Sequence, residues 1–199
     1  MAYDIKSKFT KQIRFLVGET EKLLQSDVIE SVNNACTYII NGIMEGNRIF
    51  ICGNGGSAAD AQHFAAELVG RFKSNDRPPL PCIALTVDTS ILTAIANDFG
   101  YDNVFARQLK ALASSRDILI VISTSGNSMN IVNAIKTGKE LGMTTIGLLG
   151  KKGGLAIDEL DIPILVPGEE TDIIQQSHLM IEHFICSVID DEFADVRCE

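Results

Sequence analysis

The stretch Ile118-Leu119-Ile120-Val121-Ile122-Ser123-Thr124-Ser125-Gly126-Asn127-Ser128 decides the reading of the fold. It opens with apolar, mostly β-branched residues and no polar alternation, the pattern of a strand covered on both faces, as in a parallel sheet. Four hydroxyls follow within six residues, at Ser123, Thr124, Ser125 and Ser128. A helical pattern then runs through Ile131, Ala134 and Ile135. A helix start needs only one Ser or Thr as its cap, so capping does not explain the set. Together with the free amides at the head of the helix, these hydroxyls can surround a tetrahedral anion with donors.

Working outward, similar runs occur at Arg48–Cys52, Cys82–Thr86, Asp117–Ile122, Thr144–Leu149 and Asp161–Val166. They alternate with helical patterns, which predicts a five-stranded parallel sheet with right-handed crossovers in a single α/β domain. Residues 48–193 form that domain. Residues 1–47 precede the first strand and read as a helical pair that belongs to the same domain and supplies an oligomer interface. The first helix carries the stripe Ile5, Phe9, Ile13, Leu16, Thr20, Leu23 and Leu24. The second is expected to start at a Ser26-Asp27 cap and buries Val28, Val32, Ala35, Ile39, Ile40 and Ile43. The last helix is expected from about Thr171 to Asp191, with residues 194–199 a frayed tail. Arg77-Pro78-Pro79-Leu80-Pro81 reads as a stiff loop feeding the second strand.

The first strand runs into Gly53-Asn54-Gly55-Gly56-Ser57-Ala58. Glycines let the backbone approach a ligand closely, and Ser57 adds a hydroxyl. Alone, this segment fits a plain tight turn or a loose dinucleotide fingerprint equally well. In a doubly wound sheet ordered 2-1-3-4-5, however, the loops after strands one and three flank the topological switch point, the usual ligand crevice. Neither loop carries the Lys of a nucleotide P-loop, which favours a phosphate monoester over ATP and argues against a nucleotide cofactor.

The 199 residues carry a net charge of −9 with no Lys/Arg block, which argues against nucleic-acid binding. An anionic ligand therefore needs a local device to hold it. No apolar run approaches the roughly 20 residues of a membrane span, and the N-terminal stretch lacks the pattern of a signal peptide. Cys36, Cys52, Cys82, Cys186 and Cys198 are scattered without a CxxC pair, so free thiols in a reducing cytoplasm are expected.

Chemistry-bearing residues gather on two helices. His63 and Glu67 are four apart and share a face of the helix after the glycine loop. Such a pair is also an ordinary surface hydrogen bond, but its place beside the crevice favours a site. Arg71, a further four residues on, reads as a partner for Glu67 or for substrate. Gln175, His178, Glu182 and His183 lie on the last helix, where His178 and Glu182 read as a structural i,i+4 pair. Asn97-Asp98 reads as a turn after a helix, and Thr171/Asp172 as the cap of the last one.

The segments Cys52–Leu68, Thr93–Gln108, Ile122–Ser128 and Thr171–His183 together resemble the sugar isomerase (SIS) family, and within it the heptose-phosphate branch. The resemblance covers essentially the whole chain. It implies a flavodoxin-like three-layer sandwich, a homotetramer, and conversion of D-sedoheptulose 7-phosphate to D-glycero-D-manno-heptose 7-phosphate through an enediol. It implies Glu67 as general base and His183 as general acid. A zinc ion, one per subunit, would be held by His63, Glu67, Gln175 and His183. Substrate would be bound by Asn54, Gly55, Gly56, Ser57, Glu67, Arg71, Asn97, Asp98, Ser123, Thr124, Ser125, Ser128, Asp172 and Gln175, with Asp172 assisting ring opening. Eight residues of helix rise about 12 Å, so Gln175 and His183 reach one ion only through an irregular helix or from different subunits.

Other members of the family set the alternatives. A non-catalytic relative that binds the bacterial replication initiator lacks the helix glutamate and the second helix histidine, whereas Glu67 and His183 are present here. Sugar-phosphate-sensing regulators carry a basic helix-turn-helix arm, but residues 1–47 hold five Lys/Arg against six Asp/Glu. An isomerase of aminosugar phosphates would use the same loops and is opposed by the last helix alone. For the heptose-phosphate branch, the resemblance implies a product that feeds lipopolysaccharide, capsule or S-layer glycan.

Overall fold

The computed structural model describes residues 4–194, and the tail expected to fray lies almost wholly outside that span. Two helices lead, α1 (Ile5–Glu21) and α2 (Ser26–Met44). The chain then winds through β1 (Ile49–Gly53), α3 (Gly56–Val69), β2 (Cys82–Ala84), α4 (Thr89–Phe99), α5 (Val104–Leu112) and β3 (Ile118–Ser123). It ends with α6 (Met129–Glu140), β4 (Thr144–Leu149), β5 (Ile162–Leu165) and α7 (Thr171–Phe193).

All strand pairings are parallel and the order is β2-β1-β3-β4-β5, the doubly wound arrangement. Successive side chains point to opposite faces, so each strand feeds two cores. Ile49, Ile51, Ile118, Ile120, Ile146 and Ile164 face α2, α3 and α7. Phe50, Cys52, Leu119, Val121 and Leu149 face the α4–α6 side with Val104, Phe105, Leu109 and Ile131. The result is the expected three-layer sandwich, and both faces of β1 and β3 are buried along their whole length.

Several local expectations shift. Strand β2 stops at Ala84 rather than Thr86, since this edge strand pairs only with β1 and the chain turns away toward the Asp88 cap of α4. Helix α2 is capped by extended Gln25, not by Ser26-Asp27, because both of those are already inside the first turn. The leading helix ends at Glu21, and a 3-10 turn over Lys22–Leu24 takes Leu23 into the core. Helix α1 itself buries no residue, leaving Ile5 70%, Phe9 66% and Ile13 44% exposed. Cys36, Cys52, Cys82 and Cys186 are buried and free, and burial pushes the Cys36 thiol up to about 11. Cys198 lies outside the described residues. Among those described, no helix is long and apolar enough to cross a membrane.

Candidate active site

Strands β1 and β3 are neighbours in register, with Gly53 opposite Ile122, so the loops that leave them stand side by side at the switch point. In the first loop Gly55 adopts φ 58°, ψ −120°, a backbone suited to glycine. A Cβ on Gly53 would run into the Ser57 carbonyl, and one on Gly56 into the Gln175 amide. The first turn of α3 is thereby wrapped tightly on its own loop and against α7. In the second loop Ser123 Oγ accepts from the Gly126 amide at 3.0 Å and Ser125 Oγ from the Asn127 amide at 3.2 Å. These bonds occupy oxygen lone pairs and leave both hydroxyl protons to donate. The neighbouring 150–156 segment braces this loop, with the Ala156 amide on the Gly126 carbonyl and the Leu155 amide on Asn127 Oδ1.

Asn54 in the first loop pairs with Asn130 in the first turn of α6, just after the second loop. Each side-chain amide donates to the other's carbonyl, at 2.9 and 2.8 Å, and the Tyr101 hydroxyl adds a third bond to Asn54 at 3.2 Å. Asn54 thus ties the first loop to the first turn of α6, and one N–H of its amide remains to donate. Asn130 was invisible to local reading, since its partner is 76 residues away.

Beyond the loops, α3 and α7 bring the expected chemistry together. His63 Nε2 lies 2.8 Å from His183 Nε2, with the rings edge to face at 82°. Glu67 Oε1 is 3.6 Å from His63 Nε2, as the i,i+4 spacing requires. Phe72 stacks on the His183 ring, with centroids 5.8 Å apart. A contact between two Nε2 atoms needs a proton on one ring and a lone pair on the other. Imidazole nitrogens and a carboxylate are ligand types that zinc takes.

Gln175 is not among them. Helix α7 is continuous, and Gln175 sits two turns before His183, donating to Asp60 Oδ2 at 3.0 Å. Within one chain Gln175 therefore stands apart from His63, Glu67 and His183, the other residues expected to hold a metal. Among the described residues, no three His, Cys, Asp or Glu side chains are grouped so that, as they stand, they could hold a metal ion. Asp60 was not foreseen, although its spacing to His63 and Glu67 puts it along the same face. Burial pushes its carboxyl up, against the Gln175 hydrogen bond and the His63 charge.

His178 and Glu182 are not a pair. Both are fully buried, and neither has a hydrogen-bond partner among the described residues. Burial drives His178 down to about 4, with the Leu149 backbone opposing the shift. Burial and the Asp60 charge push Glu182 up to about 8. Arg71 does not meet Glu67, because α3 ends at Val69 and Gly70 turns the chain; its guanidinium donates to Asn75 instead. Asn97 and Asp98 lie in the last turn of α4 rather than beyond it, exposed and bonded to each other. Asp172 occupies the first turn of α7 behind the Glu170 cap and makes no capping bond, so it faces solvent near the positive end of the helix.

An α/β domain with a glycine-rich and a hydroxyl-rich loop side by side at its switch point, and His63, Glu67 and His183 gathered on the adjoining helices, defines the class. A family model described as SIS domain matches residues 9–150. A phosphoheptose isomerase of Aliarcobacter butzleri is 54% identical over 165 residues, 83% of this chain and 87% of that one. One of Clostridium acetobutylicum is 46% identical over 189 residues, 94% and 96% of the two chains. The solved phosphoheptose isomerase of Neisseria gonorrhoeae superposes with a TM-score of 0.82 at 41% identity, covering 94% of this chain and 97% of that one. The chain belongs to the SIS domain family and, within it, to the group of the phosphoheptose isomerases.

Proposed function

We propose that this chain is an aldose–ketose isomerase converting D-sedoheptulose 7-phosphate to D-glycero-D-manno-heptose 7-phosphate. The observation that carries the reading is the joining, by one helix, of an anion crevice and a proton-transfer cluster. Helix α3 starts in the first loop at Gly56 and presents His63 seven residues on, a rise of about 10 Å. That separation suits a phosphate at one end of an extended sugar chain and a carbonyl at the other. Its relatives at this identity are named for the same reaction class.

Ser57, Ser123, Thr124, Ser125 and Ser128 hold the phosphate, with the leading amides of α3 and α6. Glu67 takes the C1 proton of the open-chain ketose and returns it to C2. His183 gives a proton to the C2 carbonyl oxygen and receives the one on O1, so the enediol forms and collapses with protons balanced. His63, in contact with both, fixes their spacing. Asn97, Asp98 and Arg71 would meet sugar hydroxyls at the rim, and Asp172 would serve ring opening. The donors His63, Glu67 and His183 suit a zinc ion, one per chain, with Gln175 supplied from another subunit. When bound, such an ion polarises the oxygens of the substrate.

We place the protein in the cytoplasm as a homotetramer. The exposed apolar face of α1 supports the assembly, as does a groove of about 880 Å³ beside it, lined by Leu16, Val17, Leu24, Ile29, Met180 and Phe184. Burying such side chains is worth about 1.5–3 kcal/mol each. The non-catalytic alternative is not favoured, because the acid, the base and their spacing are all present. Incubation with sedoheptulose 7-phosphate, followed by NMR, tests the reading through the appearance of an aldose anomeric proton.

A further inference from the structure

Behind the acid–base cluster lies an ion pair that the reaction does not use. Arg77 and Asp190 are 6% and 3% exposed, and Arg77 Nε donates to Asp190 Oδ1 at 2.7 Å. The guanidinium spends its other donors on backbone carbonyls. Nη2 reaches the Glu67 carbonyl at 2.8 Å, and Nη1 reaches those of Leu68 at 3.0 Å and Pro78 at 2.6 Å. The last carbonyls of a helix have no partner within it, so Arg77 supplies one at the end of α3, at the residue read as the base. Pro78 and Pro79 follow directly, which stiffens the segment that presents the arginine.

Asp190 completes the grip from α7. Its second oxygen accepts the backbone amides of Lys73 at 3.0 Å and Ser74 at 2.5 Å, and Lys73 Nζ bonds Ser187 Oγ at 2.9 Å. The segment after α3 is thereby laid along α7, and the residue just before Lys73 is Phe72, which stacks on His183. Burial raises the Asp190 carboxyl, but the Ser74 amide, Arg77 and the Lys73 amide outweigh it and hold it below the usual carboxylate range. One buried pair thus touches the backbone of Glu67 and, through the 70–76 segment, the ring of His183.

We infer that Arg77 and Asp190 are positioning residues for the isomerisation, setting the distance between base and acid through the end of α3 and through Phe72. This rests on the reading of Glu67 and His183 as base and acid. A misplacement near 1 Å at such groups can cost about 100-fold in rate.

Arg77→Lys is the test. It keeps a cation opposite Asp190, but an ammonium cannot hold the carboxylate and the α3 carbonyls in one planar fork. Assayed well below its unfolding temperature and per folded molecule, it is expected to lose about 10- to 100-fold in kcat. KM for sedoheptulose 7-phosphate should stay within about twofold, because the phosphate loops are untouched. Should this variant not fold, Asp190→Asn preserves the shape of the carboxylate and one accepting oxygen, and the same split is expected. Wild-type kcat per folded molecule, or a loss confined to KM, overturns the inference. Glu67→Gln assayed in parallel separates the two levels. If it is inactive while both pair variants turn over normally, the positioning role falls and the base assignment stands. If Glu67→Gln is fully active, the base assignment itself falls, and the inference with it.

Discussion

His63 and His183 stand 120 residues apart in the chain and 2.8 Å apart at their Nε2 atoms. The contact exists because α3 and α7 pack on the same face of the sheet, and Glu67 Oε1 lies 3.6 Å from the His63 ring of the pair. Packing of two regular helices therefore brings together the groups read as acid and base. Sites on helices hold their geometry more closely than sites on loops.

The phosphate prediction follows from the second loop. Ser123→Ala removes one hydroxyl donor to the anion and also the acceptor of the Gly126 amide. A hydrogen bond to a charged group is worth about 1.5–3 kcal/mol, so KM for sedoheptulose 7-phosphate should rise by more than tenfold while kcat changes little. Steady-state kinetics, with inorganic phosphate as a competitive inhibitor, checks this. An unchanged KM and inhibition constant would place the phosphate elsewhere.

The sheet order and both loops were legible because their signals are local: unbroken apolar strands, glycines and clustered hydroxyls. What local spacing could not supply was long-range partnership. The Asn54–Asn130 tie, the Gln175–Asp60 bond and the Arg77–Asp190 pair each join residues more than seventy positions apart. The i,i+4 rule correctly put His63 beside Glu67 but wrongly paired His178 with Glu182. Spacing fixes a face, whereas packing fixes where each side chain turns. Arg71 does not reach Glu67 because α3 ends at Val69, two residues short of it, and Gly70 turns the chain. The roles of Glu67 and His183 came from resemblance; spacing alone could not have linked two helices so distant in the chain.

The metal prediction concerns the donor set. Protein purified without chelator should contain about one zinc per chain by elemental analysis, since two imidazoles and a carboxylate suit that ion. His63→Ala and His183→Ala should each lose most of it while remaining folded by circular dichroism. Zinc content unchanged in both variants would contradict this ligand set.

The pH prediction concerns His178, whose protonation falls from the ordinary 6.5 to about 4 on burial. Above pH 6.5 both folded and unfolded chains carry it neutral, and it costs nothing. As pH falls from 6.5 toward 4, the unfolded chain takes up a proton that the folded chain refuses, so stability declines, by about 3 kcal/mol in total. His178→Leu removes this share. Urea midpoints at pH 7.5 and 4.5 should show a smaller acid loss in the variant than in the wild type. Equal losses would mean that His178 is not held neutral by the fold.

The assembly prediction uses the face of α1. Phe9→Asp with Ile13→Asp places charges in the stripe that α1 leaves uncovered. Sedimentation should show a four-subunit mass for the wild type at micromolar concentration and smaller species for the variant. A monomeric wild type would refute the interface.

The most direct measurement is the turnover of sedoheptulose 7-phosphate, followed by NMR, for the wild type and Glu67→Gln side by side. The substitution is nearly isosteric and leaves the phosphate loops and the His63–His183 contact in place. The wild type should convert the ketose to the heptose 7-phosphate aldose, and the variant should be slower in kcat by about 100-fold or more, with KM little changed. Conversion by Glu67→Gln at the wild-type rate would contradict the account of Glu67 as the base, and an inactive wild type would contradict the proposed reaction itself.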